Sequence, residues 1–392
     1  MLPENVKVLI VGAGPTGLAL SIALRQADID HLIVDRLEAG LNTSRAAVIH
    51  AHTLEMLEPL GVVDELERRG RRLQDFSVRD GDRALLRLNF DGLPTRFNHI
   101  LMIPQQDTEA VLADRLAALG GRVHRGVSAM SVAKRGDGYE VRLATTAGDC
   151  TVSADYVVAG DGMHSTVRQD AGIGFDGDSY ADSFVLADVS MNWKTDRDEV
   201  AFYLSPEGPV VVAPLPDGRF RVVATRENAP ERPDAALIEE IMNSRGPKTR
   251  NVRIGDVSWS SRFRLHHRVA SAYRAGNIFL MGDAAHVHSP AGGQGMNTGL
   301  VDAVVLAGLL TAVLKHGRPG SDLDKYEALR RPAAEQVLAL ADRLTRVALV
   351  RGFWGKLLRT AIFGLLNLSP AFKRGVQLSL SGLDRRRFTE LA

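Results

Sequence analysis

The sequence predicts an α/β fold: a parallel sheet covered by helices, with an antiparallel sheet inserted into it and helices at the C-terminal end. Three observations predict it. The chain opens with an uncharged apolar run, Val8-Leu9-Ile10-Val11, that enters a glycine turn, Gly12-Ala13-Gly14-Pro15-Thr16-Gly17. A long middle region, from about Phe175 to Arg264, carries strand signals broken by one convincing helix. A second strand-glycine unit, Ile278-Phe279-Leu280-Met281-Gly282-Asp283, then precedes a helical end.

The first unit is the most specific. An apolar, β-branched run reads as a strand buried on both faces. Gly12, Gly14 and Gly17 then supply a tight turn, close approach of backbone to a pyrophosphate, and close packing of helix on strand. The helix predicted from about Thr16 to Ala27 starts at that turn, so its free N–H groups and positive dipole end neutralise phosphates without a lysine. A second strand, His31 to Asp35, follows, and Asp35 lies eighteen residues after Gly17, close to the interval at which an acid accepts hydrogen bonds from an adenosine ribose. Strand, glycines, helix, strand and acid in register predict a dinucleotide site. Gly12, Gly14, Pro15, Thr16, Gly17, Asp35 and Arg36 are its candidate ligands. A glycine-rich helix start with Asp35 as an ordinary strand-end residue is the bland alternative, and it leaves the register unexplained.

Composition bounds the rest. At 392 residues, with 45 % hydrophobic and 24 % charged residues, the chain suits two intimately joined globular domains. A formal charge of +1 argues against a nucleic-acid footprint over the whole surface. Cys150 is the single cysteine, which excludes an intrachain disulfide and a thiolate metal cage and makes reducing cytoplasm the default. The first core strand starts almost at the N-terminus, so no cleaved leader is expected. The apolar stretches Val301 to Leu314 and Ala361 to Leu368 read as too short or too interrupted to span a bilayer, and a soluble protein is expected.

Further elements follow in order. Arg45 to Arg72 reads as loop plus helix, and Asp107 to Leu119 as an amphipathic helix with Asp107 as its N-cap. Val127 to Lys134, Tyr139 to Thr145 and Cys150 to Ala159 read as a meander that ends in another glycine turn, Gly160-Asp161-Gly162. The middle region predicts strands at Phe184 to Met191, Val200 to Leu204, Val210 to Pro214, Phe220 to Thr225 and Val252 to Arg264, with a helix at Asp234 to Ser244.

Two downstream strings carry a family resemblance. Gly160-Asp161-Gly162-Met163-His164-Ser165-Thr166-Val167-Arg168, and the long string from Gly282-Asp283-Ala284-Ala285-His286 through Pro290-Ala291-Gly292-Gly293-Gln294-Gly295-Met296-Asn297 to Asp302-Ala303, resemble the DG and GD fingerprints of the group A flavoprotein monooxygenases, whose type member is para-hydroxybenzoate hydroxylase. With the N-terminal glycines, the match covers about the first 345 residues in order and spacing.

The resemblance implies a Rossmann-like FAD-binding domain of the glutathione reductase type. It would comprise residues 1–75, 100–175 and 270–345, with a substrate-binding β-sheet domain from 76–99 and 176–269 and a C-terminal helical segment at 346–392. It also implies roles. Asp283 would bind the ribityl hydroxyls of FAD. Gly293, Gly295, Met296 and Asn297 would open a helix whose N–H groups face the flavin pyrimidine edge, where reduction places negative charge. Asp161 is tied to the FAD pyrophosphate and the nicotinamide cofactor, and Gln105, or its neighbour Gln106, to the FAD side. Pro290, over the reactive flavin face, and Arg45, meeting the flavin or its phosphates, are the implied catalytic residues. His52 stands where many relatives carry arginine. His286 is structural by the same analogy, and no acidic or cysteine partner at ligand spacing supports a metal site at the histidines. The basic cluster Arg385 to Arg387 is expected as a solvated helix end.

The implied reaction is NAD(P)H-dependent reduction of FAD, addition of O2 at flavin C4a, and delivery of one oxygen atom from that hydroperoxide to an electron-rich aromatic ring: a phenol, a polycyclic compound or a quinone precursor. A dry cavity is required. Phe202, Tyr203, Val211, Pro214 and Phe220 are its candidate wall residues, with plain core as the alternative. NADPH or NADH would bind transiently, since no second dinucleotide fingerprint is present. The chain stops after a short helical tail and so resembles the compact hydroxylases in layout. Three other functions are weighed. A reductase of the prenyl-reductase type would keep the fingerprints without oxygen transfer. A flavin-dependent halogenase would need a Gly-Trp-x-Trp-x-Ile segment, whereas Trp193, Trp259 and Trp354 occur singly. A flavin-bound scaffold would not need the intact Pro290 to Asn297 loop. A monomer or a homodimer is expected, and peripheral membrane contact through the apolar stretch Phe353 to Phe372 is an alternative to none.

Overall fold

A computed structural model describes residues 2–40, 46–193, 198–249, 251–288, 292–348, 363–364 and 366–390. The N-terminal part runs β1 (Asn5–Val11), α1 (Pro15–Gln26), β2 (His31–Asp35), β3 (Val48–Ile49), α2 (Ala51–Leu57), α3 (Val63–Arg69) and β4 (Arg71–Leu73). It continues through β5 (Asp75–Asp80), β6 (Arg83–Asn89), β7 (Ile100–Met102), α4 (Gln105–Ala118), β8 (His124–Arg125), β9 (Ser128–Arg135), β10 (Gly138–Thr145), β11 (Gly148–Ala159) and α5 (Thr166–Asp170). The middle comprises β12 (Phe175–Met191), β13 (Glu199–Tyr203), β14 (Val210–Pro214), β15 (Phe220–Thr225), α6 (Ala235–Arg245) and β16 (Ile254–Ala270). The last part holds β17 (Arg274–Ala275), β18 (Ile278–Leu280), β19 (His286–Val287), α7 (Gly295–His316), α8 (Lys325–Ala348) and α9 (Pro370–Ser381).

The first sheet has the path β17-β18-β11-β1-β2-β8, with β10 and β9 extending it from β11. Its centre is parallel: β1 pairs with β2 from Val8↔His31 to Val11↔Val34, and with β11 from Asn5↔Ser153 to Val11↔Ala159. β11 serves three partners along its length, because Gly148 to Ala154 closes the antiparallel meander with β10 while its C-terminal part pairs with β1 and β18. The meander and the parallel core are therefore one sheet. All side chains from Val8 to Val11 are buried, as their uninterrupted apolar run requires.

The second sheet has the order β19-β16-β12-β15-β14-β13-β5-β6, and its pairs are antiparallel except β13 with β5. Strands β12 and β16 each run seventeen residues, longer than their apolar segments suggest, because each pairs with the other beyond the buried stretch. At its far end β16 pairs with β19, the residues that directly follow the second acidic-glycine turn, so the two sheets are joined at that point. Alternation divides the second sheet into two faces. Val185, Ala187, Ala201, Tyr203, Val210, Val212, Val222 and Ala224 pack with Ile238, Ile241 and Met242 of α6 in a core of their own. The opposite face looks toward the first sheet.

Two expectations change. Helix α4 starts at Gln105 with Pro104 as N-cap, so Asp107 stands inside the first turn, where its charge favours the positive helix end. The stretch Val301 to Leu314 belongs to the 22-residue α7, the one helix among the described residues long and apolar enough to cross a membrane. It is a core helix here, with 67 % of its most apolar window buried. The segment 353–362 lies outside the described residues, so the apolar stretch expected there is not placed.

Candidate active site

Four strand ends and one helix start converge on a single cavity of about 1420 Å³. Val11 ends β1 and Gly12 follows it, Asp35 ends β2, Gly160 and Asp161 follow β11, and Met281, Gly282 and Asp283 follow β18, all lining it. This is the C-terminal edge of a parallel sheet, where open α/β folds bind ligands. Gly12 adopts φ +103°, and a Cβ there would lie 2.2 Å from the Gly160 carbonyl oxygen, so only glycine lets the first turn pack against the Gly160 turn. Gly293, at φ +62°, makes the corresponding approach to Val48, with its Cβ position 2.2 Å from Val48 Cγ1.

Buried polar contacts fix each turn. Asp35 accepts the Ala13 N–H at 2.7 Å through Oδ2 and the Leu37 N–H at 2.8 Å through Oδ1, which ties the acid to the glycine turn. Asp161 Oδ2 accepts the Thr166 N–H at 3.0 Å, while Oδ1 is buried with no partner among the described residues. Burial pushes this carboxyl up against the opposing hydrogen bonds from Ser165 and the following backbone. Arg168, buried against the Phe175 ring, donates to the Ala284 carbonyl and to the Met163 carbonyl, both at 2.9 Å, and so staples the Asp161 loop to the Asp283 loop. Asp302 Oδ2 lies 2.7 Å from His286 Nε2 and accepts the Gly282 N–H at 3.1 Å, while Oδ1 accepts from Arg330 Nε at 2.8 Å. Full burial pushes the Asp302 carboxyl up, but His286 and Arg330 outweigh it and hold the group below its ordinary range.

The start of α7 is held from two directions. Asn297 Oδ1 accepts the His50 N–H at 2.8 Å, and its Nδ2 donates to the carbonyls of Val48 at 3.0 Å and Gly293 at 2.8 Å. His50 Nε2 lies 2.8 Å from the Gly292 carbonyl. Burial brings the His50 imidazole down to about 4, with the Arg385 charge acting in the same direction, so it is neutral near pH 7.

The cavity gathers most of the candidate ligands. Gly12, Gly14, Pro15, Thr16, Asp35, Arg36, Gln105, Asp161, Asp283, Gly293, Gly295 and Met296 line it, as do Phe202 and Val211. Gln106 is exposed and outside the lining, which separates the two adjacent glutamines. Gly17 stands behind the turn, its Cβ position 1.9 Å from the Gly12 carbonyl oxygen, where it permits packing and does not face a ligand. The Asn297 side chain is engaged by protein partners, and the residue is buried outside the cavity lining. Arg45 and Pro290 lie outside the described residues.

Three wall candidates are corrected. Tyr203 and Phe220 point to the opposite face of the sheet, where both pack edge-on against Trp193. Pro214 is buried without lining the cavity, because Val211 and Ala213 take the inward positions of β14. The apolar wall comes instead from Phe76, Val78, Phe184, Leu186, Val200, Leu204, Val223 and Phe263. Period two was legible in each strand, but not which parity faces inward. Arg385 and Arg386 are also corrected: Arg385 is buried, and Arg386 reaches Glu55 with Nε at 2.9 Å. Burial pushes the Glu55 carboxyl up, and hydrogen bonds from His52 and Arg386 bring it down to about 2. A C-terminal cation thus arrives beside His52, where the resemblance expects arginine.

The residues fit an FAD molecule. Glycine turns open onto the cavity, an orphaned buried carboxylate oxygen of Asp161 waits at its edge, and a helix N-terminus faces it. Comparison with known proteins agrees. A family profile described as an FAD binding domain matches residues 5–341. An uncharacterised aromatic compound monooxygenase of Bacillus subtilis strain 168 is 35 % identical over 87 % of this chain and 68 % of its own length. The 6-methylpretetramide 4-monooxygenase of Streptomyces rimosus is 36 % identical over 89 % of this chain and 63 % of its own, so the chain spans less than two thirds of that relative. Among solved structures, the anhydrotetracycline hydroxylase of Streptomyces rimosus superposes with a TM-score of 0.81 at 30 % identity, covering 97 % of this chain and 76 % of that one. The p-nitrophenol 4-monooxygenase of Pseudomonas putida DLL-E4 shares the fold over 97 % of this chain and 99 % of its own, with a TM-score of 0.87 at 24 % identity. A profile match over most of the chain, joined to relatives above 30 % identity, places this protein in the family of FAD-dependent aromatic monooxygenases.

Proposed function

We propose that this chain is an NAD(P)H-dependent monooxygenase that transfers one oxygen atom from O2 to a phenolic or polycyclic aromatic substrate. One observation carries the reading: a single cavity joins the strand-end turns to the apolar inner face of the second sheet, so cofactor and substrate share one enclosed space. FAD, when bound and reduced by a transient nicotinamide cofactor, supplies the oxygen-activating chemistry.

The chain's own residues bind, orient and exclude water. The glycine turn and the N-terminus of α1 would hold the pyrophosphate, Asp35 the adenosine ribose, and Asp283 the ribityl chain. The N-terminus of α7 would face the pyrimidine edge and favour negative charge there. Phe202, Val211 and Val223, with the phenylalanines of neighbouring strands, form a dry wall against which a planar ring packs, which limits unproductive release of activated oxygen to water. Residues 1–75, 100–175 and 270–345 act as the cofactor domain, and 76–99 with 176–269 as the substrate domain. A reducing, cytoplasmic setting suits the lone thiol of Cys150.

The names of the relatives, which include pentachlorophenol and tetracycline-pathway monooxygenases, support oxygen transfer over the prenyl-reductase alternative. The test is a panel of phenols and polycyclic aromatics screened for NAD(P)H oxidation coupled to a product one oxygen heavier. NAD(P)H oxidation that consumes no O2 would instead establish the reductase.

A further inference from the structure

The C-terminal turn that follows α9 is latched to the start of α7 by a reciprocal pair of contacts. Gln294, the N-cap residue of α7, is buried and outside the cavity lining. Its Nε2 donates to the Leu380 carbonyl at 2.9 Å, and its Oε1 accepts from Arg385 Nη2 at 3.0 Å. The same Arg385 nitrogen donates to the Ser379 carbonyl at 3.1 Å. Arg385 itself is only 7 % exposed, and it pairs with Asp384, 3.1 Å away and itself partly exposed.

A buried arginine at this place does more than dock a tail. Its charge lies beside the N-cap of the helix whose first residues, Gly295 and Met296, line the cavity, so it adds to the positive potential already produced by the helix dipole. In a desolvated setting such a charge acts over a longer distance than it would in water. His50, which lines the cavity and is lowered mainly by burial, is lowered further by the Arg385 charge.

We propose that Arg385, acting through Gln294, is a positioning residue for the N-terminus of α7 and that its buried charge raises the reduction potential of the bound flavin. This rests on the reading that the start of α7 faces the flavin pyrimidine edge. The C-terminal tail is then part of the electrostatic surroundings of the cofactor as well as a wall of the chamber, which Val376 and Leu380 line. The residue touches neither cofactor nor substrate; it fixes a helix end and supplies charge from behind it.

The experiment is a reductive titration of the FAD-loaded protein against a reference dye, which reads a potential and needs no turnover. Arg385→Gln is expected to lower the ratio of reduced to oxidised flavin about tenfold at fixed poise, equal to about 30 mV for a two-electron couple. Arg385→Lys, which keeps the charge, is expected to stay near the parent value. Asp384→Asn, a surface change that removes the compensating carboxylate, is expected to shift the potential the opposite way and remains informative if Arg385→Gln fails to fold. Opposite signs for the two charge changes support the proposal. Yellow, FAD-replete variants with unchanged potentials, or Arg385→Lys moving as far as Arg385→Gln, overturn it while leaving the FAD site standing. A parent protein that takes up no FAD would instead overturn the cofactor reading itself.

Discussion

Asp302 and His286 meet at 2.7 Å in full burial, sixteen residues apart, and bind the Gly282 turn to the middle of α7. Asp302 also compensates the buried guanidinium of Arg330. Replacement of Asp302 by alanine strands that cation and releases the Gly282 N–H, at a cost of about 3–5 kcal/mol. Chemical denaturation of the apo-protein measures the loss. A variant within 1 kcal/mol of the parent would contradict the role assigned to this network.

Asp35 is half-committed to the protein, since both of its oxygens accept backbone N–H groups around the first turn. The Asp35→Ala variant is expected to lose about 1–3 kcal/mol of stability from unmet donors. It should also weaken FAD affinity more than it lowers turnover at saturating FAD. A flavin titration run beside a turnover assay separates the two, and equal losses in both would place Asp35 nearer the chemistry than its position at the adenosine end allows.

The two faces of β15 give a paired test. Val223 faces the chamber, and Val222 packs toward α6. Val223→Phe should leave the melting temperature nearly unchanged, raise KM for bulky aromatics and increase NAD(P)H oxidation not coupled to product. Val222→Phe should overpack a closed core and cost about 1–3 kcal/mol. Reversed outcomes would mean that the strand presents the other parity to the substrate.

This pair also marks where sequence reading reaches its limit. The glycine turns, Asp35 and the long string around Asp283 were legible because their conformational demands are local: a positive φ at Gly12, a close approach at Gly293, an acid at a strand end. The inward parity of the second sheet was not. It depends on register with strands far away in the chain, such as Phe202 opposite both Val211 and Val78. Tyr203 and Phe220 looked equally suited to a wall, and only the packing of α6 decides that they belong to the other face. The destinations of Arg385 and Arg386 were hidden for the same reason, because Arg386 finds Glu55 across 331 residues of sequence. Arg168 stood inside a recognised string, yet its role as a staple to Ala284 follows only from the meeting of two strand ends.

Acid should weaken the apo-protein through His50. Its imidazole is brought from the ordinary 6.5 to about 4, mainly by burial, so the unfolded chain binds a proton that the folded chain refuses between these values. Stability therefore falls as pH drops from about 6.5 toward about 4, by on the order of 3 kcal/mol from this group alone. Half-buried His31 and buried His52 and His99 are also lowered and act in the same direction. The difference between the parent and His50→Gln isolates the single contribution: the variant should show a shallower loss of stability over that window. Identical pH profiles would contradict it.

The most direct test of the central claim is the flavin content of the purified protein, read by absorbance beside the same measurement on Asp283→Ala. Convergence of the strand-end turns on one FAD predicts a yellow protein carrying one FAD per chain, and a variant that holds the flavin at least tenfold more weakly while keeping its fold. A colourless parent protein that stays colourless after incubation with FAD would contradict the account.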